Sequence, residues 1–235
     1  MKYALVTSST KGIGKSIAIE LLKRGYYVFL NGRNNIEIED IKCFNDMYSI
    51  IEADLSDIEN IDILVNHIKS KTNYLDHVIL NTGITCYKNF KDIEYTDWNK
   101  VLQTNLTIPF FILQNLSDMI CDNGRIIFIG TILGLIPHST SISYSVSKSG
   151  LTMLSRSLVK VFKNRNITVN TISPGFIDTN WHDGKNIDII NNIKSKIALC
   201  RFGKSEEVAS TCMHIIDNQY INGEVIRIDG GYDFE

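Results

Sequence analysis

Seven short apolar runs, separated by longer stretches of helical spacing, constrain the fold of this chain more than any other feature. The runs are apolar almost throughout, which is typical of strands that are covered on both faces. They lie at 3–7, 26–30, 47–53, 77–80, 125–130, 167–173 and 224–229. Amphipathic helical patterns lie between them at 14–24, 56–70, 96–120, 143–165 and 205–217, and Pro109 is expected to bend the helix over 96–120. This alternation predicts an α/β fold: a single doubly wound domain over 1–235, with a seven-stranded parallel sheet and helices on both faces.

The composition of the chain excludes several classes of function. The chain has 235 residues and a formal net charge of −2, with acids and bases mixed along it, so it lacks the basic stripe of a nucleic-acid-binding protein. Its five cysteines are far apart without CxxC spacing and its histidines show no metal spacing, which predicts neither a disulfide framework nor a metal site. No apolar stretch approaches the ~20 residues of a membrane helix, and the N-terminal run is too short for a signal peptide. We therefore expect a cytoplasmic protein with no membrane partner.

The loop after the first predicted strand has the composition of an anion-binding turn. The segment "LVTSSTKGIG" (5–14) ends a strand and opens a helix. In such sheets ligands bind outside the carboxyl ends of the strands, and a helix N-terminus attracts phosphate through its unpaired N–H groups. Gly12 and Gly14 let the backbone approach a ligand, while the hydroxyls of Ser9 and Thr10 could donate further hydrogen bonds. The alternative is a tight β–α turn that needs its glycines for geometry alone.

Further motifs, in sequence order, carry a resemblance to a known family. "TSSTKGIG" (7–14) resembles a TGxxxGxG motif, and it is followed by "ADL" (53–55), "NTG" (81–83), "NLTIPFF" (105–111), "YSVSK" (144–148), "SPGFIDT" (173–179) and "YINGEVIRIDGG" (220–231). In this pattern the chain resembles the short-chain dehydrogenase/reductase family, whose members have a Rossmann fold. The stretch "RFGKSEEVAS" (201–210) is similar to the corresponding part of 3-oxoacyl-[acyl-carrier-protein] reductases within that family.

The resemblance implies a set of catalytic residues and a set that binds a nicotinamide dinucleotide. The catalytic set is Asn105, Thr131, Tyr144 and Lys148. The cofactor-binding set is Ser9, Thr10, Lys11, Gly12, Ile13, Gly14, Asn31, Arg33, Asp54, Leu55, Asn81, Thr82, Gly83, Tyr144, Lys148, Pro174, Gly175, Ile177 and Thr179. No metal ligand is implied.

The chemistry expected of the catalytic set is proton transfer to a carbonyl that receives a hydride from the cofactor. Tyr144 and Lys148 are four residues apart, so they share one face of a helix. A nearby ammonium favours the phenolate, and we expect Lys148 to lower the pKa of Tyr144 from its usual value near 10. Thr131 is expected to hydrogen-bond the substrate carbonyl. By resemblance, Asn105 distorts its helix and holds a water that relays protons; the alternative is a buried amide that satisfies a broken helical turn.

Three residues depart from the family pattern. Ser8 replaces the first glycine of the glycine motif, and Thr82 replaces the alanine of an NAG motif. Thr131 stands where the family has a serine, which keeps the hydroxyl and adds a methyl group that narrows the pocket.

The choice of cofactor is predicted from the end of the second strand. Enzymes that use NAD place an acidic residue there, which binds the ribose 2′-OH. Here the segment 31–34 contains no carboxylate, while Lys11 and Arg33 supply two cations suited to a 2′-phosphate. We therefore expect NADP(H) to be preferred, with NAD(H) possible; the alternative is that both cations are solvated surface charges.

The substrate and the assembly are predicted by resemblance. A substrate lid is expected at about 180–204, with an apolar face formed by Ile187, Ile189, Ile190, Ile193 and Ile197 and with lysines that either meet an anion or face solvent: Lys185, Lys194 and Lys196. The family commonly forms homotetramers, and the stretch over 146–162, which is apolar on more than one face, is consistent with one; the alternative is a dimer. A carrier protein is uncertain as partner. Arg165 matches one of two basic docking positions of the reductases, but the other is Asp122, which would repel an acidic partner.

The leading hypothesis is an NADP(H)-dependent oxidoreductase that reduces a 3-oxoacyl thioester or a similar small ketone. One alternative is an NAD-dependent dehydrogenase of a sugar, polyol or steroid alcohol. Another is a catalytically silent protein that senses dinucleotides, although a sensor does not need the asparagine, hydroxyl, tyrosine and lysine together. His138 and His182 flank the expected pocket and are secondary candidates for substrate contact.

Overall fold

The strands form one parallel sheet in the order β3-β2-β1-β4-β5-β6-β7. The computed structural model describes residues 1–33, 38–182, 184 and 186–232; of His182 it describes the backbone only. The strands are β1 (Lys2–Val6), β2 (Tyr26–Gly32), β3 (Tyr48–Glu52), β4 (Leu75–Leu80), β5 (Ile120–Ile129), β6 (Thr168–Pro174) and β7 (Val225–Ile228). The α-helices are α1 (Gly12–Lys23), α2 (Ile61–Lys71), α3 (Tyr95–Leu102), α4 (Ile108–Leu116), α5 (Ile142–Leu158), α6 (Ile187–Ser195) and α7 (Ser205–Asp217).

The apolar core lies in two layers, one on each face of the sheet. On one face the sheet packs against α2, α4 and α5. On the other it packs against α1 and α7, through residues such as Ile17, Leu21 and Val208, all fully buried. The predicted fold class is therefore confirmed: the sheet is parallel, has seven strands and carries helices on both faces.

The order of the strands reverses at β1, and this places the site. β1 pairs with β2 on one side, where Ala4 lies opposite Val28, and with β4 on the other, where Ala4 lies opposite His77. The loops after β1 and β4 therefore leave the same edge of the sheet next to each other. A crevice at such a switch point is the usual ligand site of this architecture.

Two elements differ from the prediction. The single bent helix expected over 96–120 is divided into α3 and α4 by a π-helical segment, Gln103–Thr107, and Pro109 lies in the first turn of α4. Because the backbone stays helical at Thr107 and Ile108, these segments form one continuous helix, and its irregular turn lies next to Pro109, which has no N–H to donate. β5 begins at Ile120, five residues before the predicted start, because the pairing with β4 shifts register between Leu75 and His77 and accommodates extra residues.

The described residues contain neither a candidate membrane span nor a candidate metal site. None of these helices combines the length and the apolar character needed to cross a membrane. No group of three or more His, Cys, Asp and Glu side chains there could hold a metal ion.

Candidate active site

The loop after β1 is fixed by hydrogen bonds to β2. The Ser9 hydroxyl donates to the Val6 carbonyl at 2.7 Å and accepts from the Asn31 backbone N–H at 3.0 Å. The Asn31 amide donates to the carbonyls of Ile51 at 3.2 Å and Ala53 at 3.0 Å. Here the single hydroxyl proton of Ser9 is donated to the Val6 carbonyl, and the part of Ser9 in cofactor binding stays a prediction. Through these hydrogen bonds, Ser9 and Asn31 hold the loop after β1 against the ends of β2 and β3.

The N-terminus of α1 has the features of an anion site. In the described chain no side chain caps its first turn, and that turn contains no acidic residue, so its N–H groups stay available. Gly12 has a φ of +54°. A Cβ on Gly14 would lie 2.5 Å from the Ser8 carbonyl oxygen and 2.6 Å from Asn81 Nδ2. Gly14 is thus required by packing, and the residues present fit a dinucleotide phosphate at the helix end.

Two of the departures from the family pattern lie in direct contact. Ser8 has a φ of +48°, in the left-handed region that glycine adopts freely and other residues at a cost of about 1–2 kcal/mol. The Ser8 hydroxyl donates to Thr82 Oγ1 at 3.0 Å, and the Ser8 N–H donates to Asn31 Oδ1 at 3.1 Å. The loop therefore has a serine in a backbone conformation that favours glycine, with a hydroxyl bond that glycine could not make.

The predicted determinants of cofactor choice lie at the surface near β2. Arg33 and Lys11 are both exposed, whereas Lys15 forms an ion pair with Asp40 at 2.6 Å. Asp54 is half-buried, and its Oδ1 accepts from the Ser56 N–H at 3.0 Å. Asn34, the last residue of the segment without carboxylates, lies outside the described residues.

Lys148 is buried beneath the crevice and points toward the end of β4. Its Nζ donates to the carbonyl oxygens of Ile129 at 2.8 Å and Thr82 at 3.2 Å. A Cβ on Gly83 would lie 3.3 Å from Nζ, so a glycine there leaves space for the ammonium group. Burial lowers the pKa of Lys148 to about 7. The lysine therefore can change its charge near neutrality.

Tyr144 and Thr131 form the proton-donating end of the site. Thr131 follows β5 and is 7% exposed, and its Oγ1 accepts from the Leu133 N–H at 3.3 Å. Burial raises the pKa of Tyr144 above its usual value, and a side-chain hydrogen bond with Thr131 opposes this rise. The expectation that Lys148 lowers the pKa of Tyr144 is therefore wrong for the chain itself, since Nζ is turned to backbone carbonyls. The tyrosine is a neutral phenol at pH 7, the form that an acid needs.

Asn105 explains the π-helical segment. Its Nδ2 donates to the Ile84 carbonyl and to Ser147 Oγ, both at 2.9 Å, and its Oδ1 accepts from the Ile84 N–H at 2.8 Å. Ser147 Oγ in turn donates to the Tyr144 carbonyl at 2.7 Å. The amide thus joins the strand end after β4 to α5, as the alternative of a structural buried amide predicts. The water relay rests on the resemblance alone.

The segment after β6 reaches across to the N-terminus of α1. Ile177 is buried, and a Cβ on Gly175 would lie 2.8 Å from the backbone of Asp229. A Cβ on Gly12 would come within 3.4 Å of Thr179 Cγ2, so the two segments face each other across the crevice. The structure therefore brings 174–179 to the glycine loop.

Sequence reasoning missed an aromatic pair in front of Tyr144. Trp181 Nε1 donates to the Tyr87 hydroxyl at 3.0 Å, and the Trp181 ring lies 5.9 Å from the Tyr144 ring, between centroids. The Tyr87–Trp181 pair therefore joins the loop after β4 to the start of the expected lid. One signal was present: Trp181 is one of only two tryptophans and follows "GFIDT" by two positions.

The remaining lid residues only partly match the prediction. Ile187 and Ile189 on α6 are exposed, and Ile197 is buried. Ile190 and Ile193 are half-buried, so the expected apolar face is partly covered, along Ile190, Ile193 and Ile197. Lys194 Nζ lies 5.4 Å from the Phe202 ring, Lys196 is exposed, and Lys185 lies outside the described residues.

The secondary histidine candidates gain no support. His138 is half-buried, with Nδ1 3.3 Å from Thr140 Oγ1, and the His182 side chain lies outside the described part of the chain.

The motif "RFGKSEEVAS" has a structural role. Arg201 forms a two-pronged ion pair with Glu207, at 2.9 and 2.7 Å, and Glu207 also accepts from the Lys204 N–H at the start of α7. Gly203 pairs with the segment at Ile177 through an isolated bridge. The motif thus connects the C-terminal end of the lid to the start of α7 and to the segment at Ile177.

Comparison with known proteins decides the family. A family model described as Enoyl-(Acyl carrier protein) reductase matches residues 7–233. The chain belongs to the short-chain dehydrogenase/reductase family. It is 34% identical to 3-oxoacyl-[acyl-carrier-protein] reductase FabG of Aquifex aeolicus, over 98% of this chain and 96% of that protein. It is 33% identical to nodulation protein G of a Rhizobium species, with the same two coverages.

Solved structures of the same family have the same architecture. The Pseudomonas aeruginosa RhlG/NADP active-site complex superposes with a TM-score of 0.88 at 28% identity, over 98% of this chain and 96% of that one. A mutant of a Serratia marcescens short-chain dehydrogenase/reductase gives a TM-score of 0.88 at 26% identity, over 98% and 97% of the two chains. This short-chain dehydrogenase/reductase is thus an oxidoreductase that acts on a carbonyl or alcohol with a nicotinamide dinucleotide.

Proposed function

We propose that this enzyme uses NADP(H) to reduce the ketone of a 3-oxoacyl thioester or of a similar small carbonyl compound. The observation that carries the proposal is the neutral Tyr144 phenol beside Thr131, with Lys148 buried below both. In the reducing direction, the phenol donates its proton to the substrate oxygen, while the Thr131 hydroxyl stabilises the charge that develops there. The nicotinamide, when bound, supplies the hydride.

The residues proposed to hold the cofactor follow from the described geometry. The pyrophosphate would lie on the uncapped N–H groups of α1, and Lys148 would bind the nicotinamide ribose. Exposed Arg33 and Lys11 would bind a 2′-phosphate, since the segment 31–34 contains no carboxylate that would repel it. An NAD-dependent dehydrogenase is the outcome expected if these two cations take no part in binding.

A surface ion pair bears on whether the thioester substrate must be attached to a carrier protein. Arg165 Nε donates to Asp122 Oδ1 at 3.1 Å, and the guanidinium also donates to the carbonyls of Ser117 and Ile120. This arginine is folded onto its own chain by an acidic neighbour, so it offers little attraction to an acidic carrier protein. We therefore propose that the enzyme accepts a thioester without requiring the carrier.

The experiment follows nicotinamide absorbance with two sets of substrates. The first set is acetoacetyl-CoA and the carrier-bound acetoacetyl thioester; the second is a panel of sugars, polyols and steroids. Turnover of acetoacetyl-CoA with NADPH supports the proposal. Turnover of members of the second set alone, with NAD, would establish the alternative dehydrogenase, and binding without any turnover would establish the silent sensor.

Three broader proposals accompany this function. Residues 1–235 fold as one domain whose lid spans about 180–204. The enzyme works in the cytoplasm, since all five cysteines are free thiols. It assembles as a homotetramer.

A further inference from the structure

The contact between Ser8 and Thr82 joins two parts of the site that have different tasks. Ser8 lies in the loop between β1 and α1, at the proposed pyrophosphate site. Thr82 follows β4, and its carbonyl oxygen accepts from Lys148 Nζ at 3.2 Å. The hydroxyl bond between them, at 3.0 Å, thus ends on the same residue whose carbonyl oxygen holds the lysine.

The surroundings of this contact restrict both residues. The Thr82 N–H donates to Thr7 Oγ1 at 3.2 Å, and Thr82 is 5% exposed. The Ser8 carbonyl accepts from Asn81 Nδ2 at 3.0 Å, while its N–H is held by the Asn31 side chain. The positive φ of Ser8 sets the direction of its Cα–Cβ bond, and the hydrogen bond to Thr82 Oγ1 at 3.0 Å then fixes the direction of its Oγ.

We propose that the Ser8–Thr82 hydroxyl bond positions the cofactor loop and the carbonyl that holds Lys148 relative to each other. Both are positioning residues: Thr82 acts through its own carbonyl, and Ser8 acts through Thr82. Since one bond serves both ends, its loss disturbs dinucleotide affinity and lysine placement together. The inference rests on the proposed function where it concerns NADPH, and on the chain alone where it concerns Lys148.

The test uses variants that remove the bond from either end. Ser8→Ala and Thr82→Val each delete one hydroxyl and keep the side chain close to its original size. Thr82→Ser restores the hydroxyl without the methyl group. Ser70→Ala removes an exposed hydroxyl that bonds only within α2, so it is the matched control.

The first readout is the Kd of NADPH, measured by tryptophan fluorescence without substrate. We expect a rise of about tenfold in Ser8→Ala and in Thr82→Val, the scale of one lost hydrogen bond. The double variant should be no more than about twofold weaker than either single variant, because both break the same bond. Thr82→Ser should recover most of the affinity that Thr82→Val loses. Additive effects in the double variant, or unchanged affinity in both single variants, would overturn the inference.

The second readout needs no cofactor. The ¹³C resonance of the Lys148 ε-carbon, assigned with Lys148→Arg, should move by the same amount in Ser8→Ala and Thr82→Val and stay in place in Ser70→Ala. A parent enzyme that bound no NADPH would refute the proposed function, and this resonance would then decide the inference. A Lys148 signal unmoved by both variants would refute the inference even if NADPH binds.

Discussion

At the scale of single residues, the proton donor is the group whose removal is most informative. Tyr144→Phe keeps the ring and its contact with Trp181 but removes the only proton that the site is proposed to donate. We expect kcat to fall at least ~10²-fold, the usual contribution of a positioned general acid. NADPH binding by fluorescence should be unchanged. Turnover at the parental rate would refute the mechanism.

Thr131 offers a second test at the same place. Thr131→Ser retains the hydroxyl that accepts from Leu133 and should stay active. Thr131→Ala lacks the hydroxyl and should lose activity by about 10²-fold or more in kcat, since one donor to a developing oxyanion is worth that much. Both rates are measured with acetoacetyl-CoA. Equal activity of the two variants would show that the hydroxyl is not used.

Arg33 decides the cofactor preference. Arg33→Ala should weaken NADPH binding by about tenfold or more and leave NADH binding unchanged, because only NADPH carries the 2′-phosphate that the guanidinium would bind. Lys23→Ala, which removes an exposed cation paired with Glu20, is the control. Equal catalytic efficiency of the parent with NADPH and NADH would contradict the preference.

At the scale of elements, the Tyr87–Trp181 pair lies beside Tyr144, with the Trp181 ring 5.9 Å from the Tyr144 ring. Trp181→Ala should open this side, so that kcat/KM for a bicyclic ketone rises about tenfold relative to acetoacetyl-CoA, on the scale of a reshaped apolar pocket. Tyr87→Phe retains a ring and should change the ratio less. Leu199→Ala, an exposed lid residue farther along the chain, serves as control. An unchanged ratio in Trp181→Ala would show that the tryptophan does not limit substrate size.

Elements defined by buried apolar periodicity could be predicted from the sequence, and those defined by side-chain bonds could not. Helix α7 has the predicted bounds, since Val208, Cys212 and Ile215 bury one regular face. The resemblance implied a helix distorted at Asn105, and the π-helical segment lies there, but the bonds from Asn105 to Ile84 are contacts that no local pattern encodes. For the same reason, the hydrogen bonds that Ser9 and Asn31 make inside the protein could not be predicted from the sequence. Residue types identified the site, but only the fold shows which of their atoms are already engaged.

At the scale of the whole molecule, stability should depend on pH through a buried histidine remote from the site. His77 is 6% exposed, with Nε2 3.0 Å from the Tyr26 hydroxyl, and burial lowers its pKa to about 3. Between about pH 6.5 and 3 the unfolded chain takes up this proton and the folded chain does not. The free energy of unfolding should therefore fall as the pH drops through this window, by at most about 1.4 kcal/mol per pH unit from this group.

The check is urea unfolding at pH 7 and pH 5. The parent should lose about 1–2 kcal/mol more than His77→Gln over this interval. Equal losses would show that His77 does not control the acid limb.

The proposed tetramer is tested by mass. Val146, Met153 and Val161, on and just beyond α5, are 46%, 61% and 68% exposed in the single chain, an apolar surface that a second copy would cover. Light scattering at micromolar concentration should give four times the 26.6 kDa of one chain. Met153→Asp should lower this mass, and a monomeric parent would contradict the proposal.

The position of β1 between β2 and β4 also has a consequence for the order of events at the ribosome. At about 5–20 residues per second, the roughly 75 residues between the first and fourth strands need on the order of 4–15 seconds to be synthesised. During that time β1 can pair with β2 on one edge, while its other edge has no partner strand. Asn81, which holds the carbonyls of Thr7 and Ser8, emerges directly after β4. Synthesis of β4 and Asn81 therefore supplies two things together: the second partner strand of β1, and the side chain that holds the loop of the proposed nucleotide site.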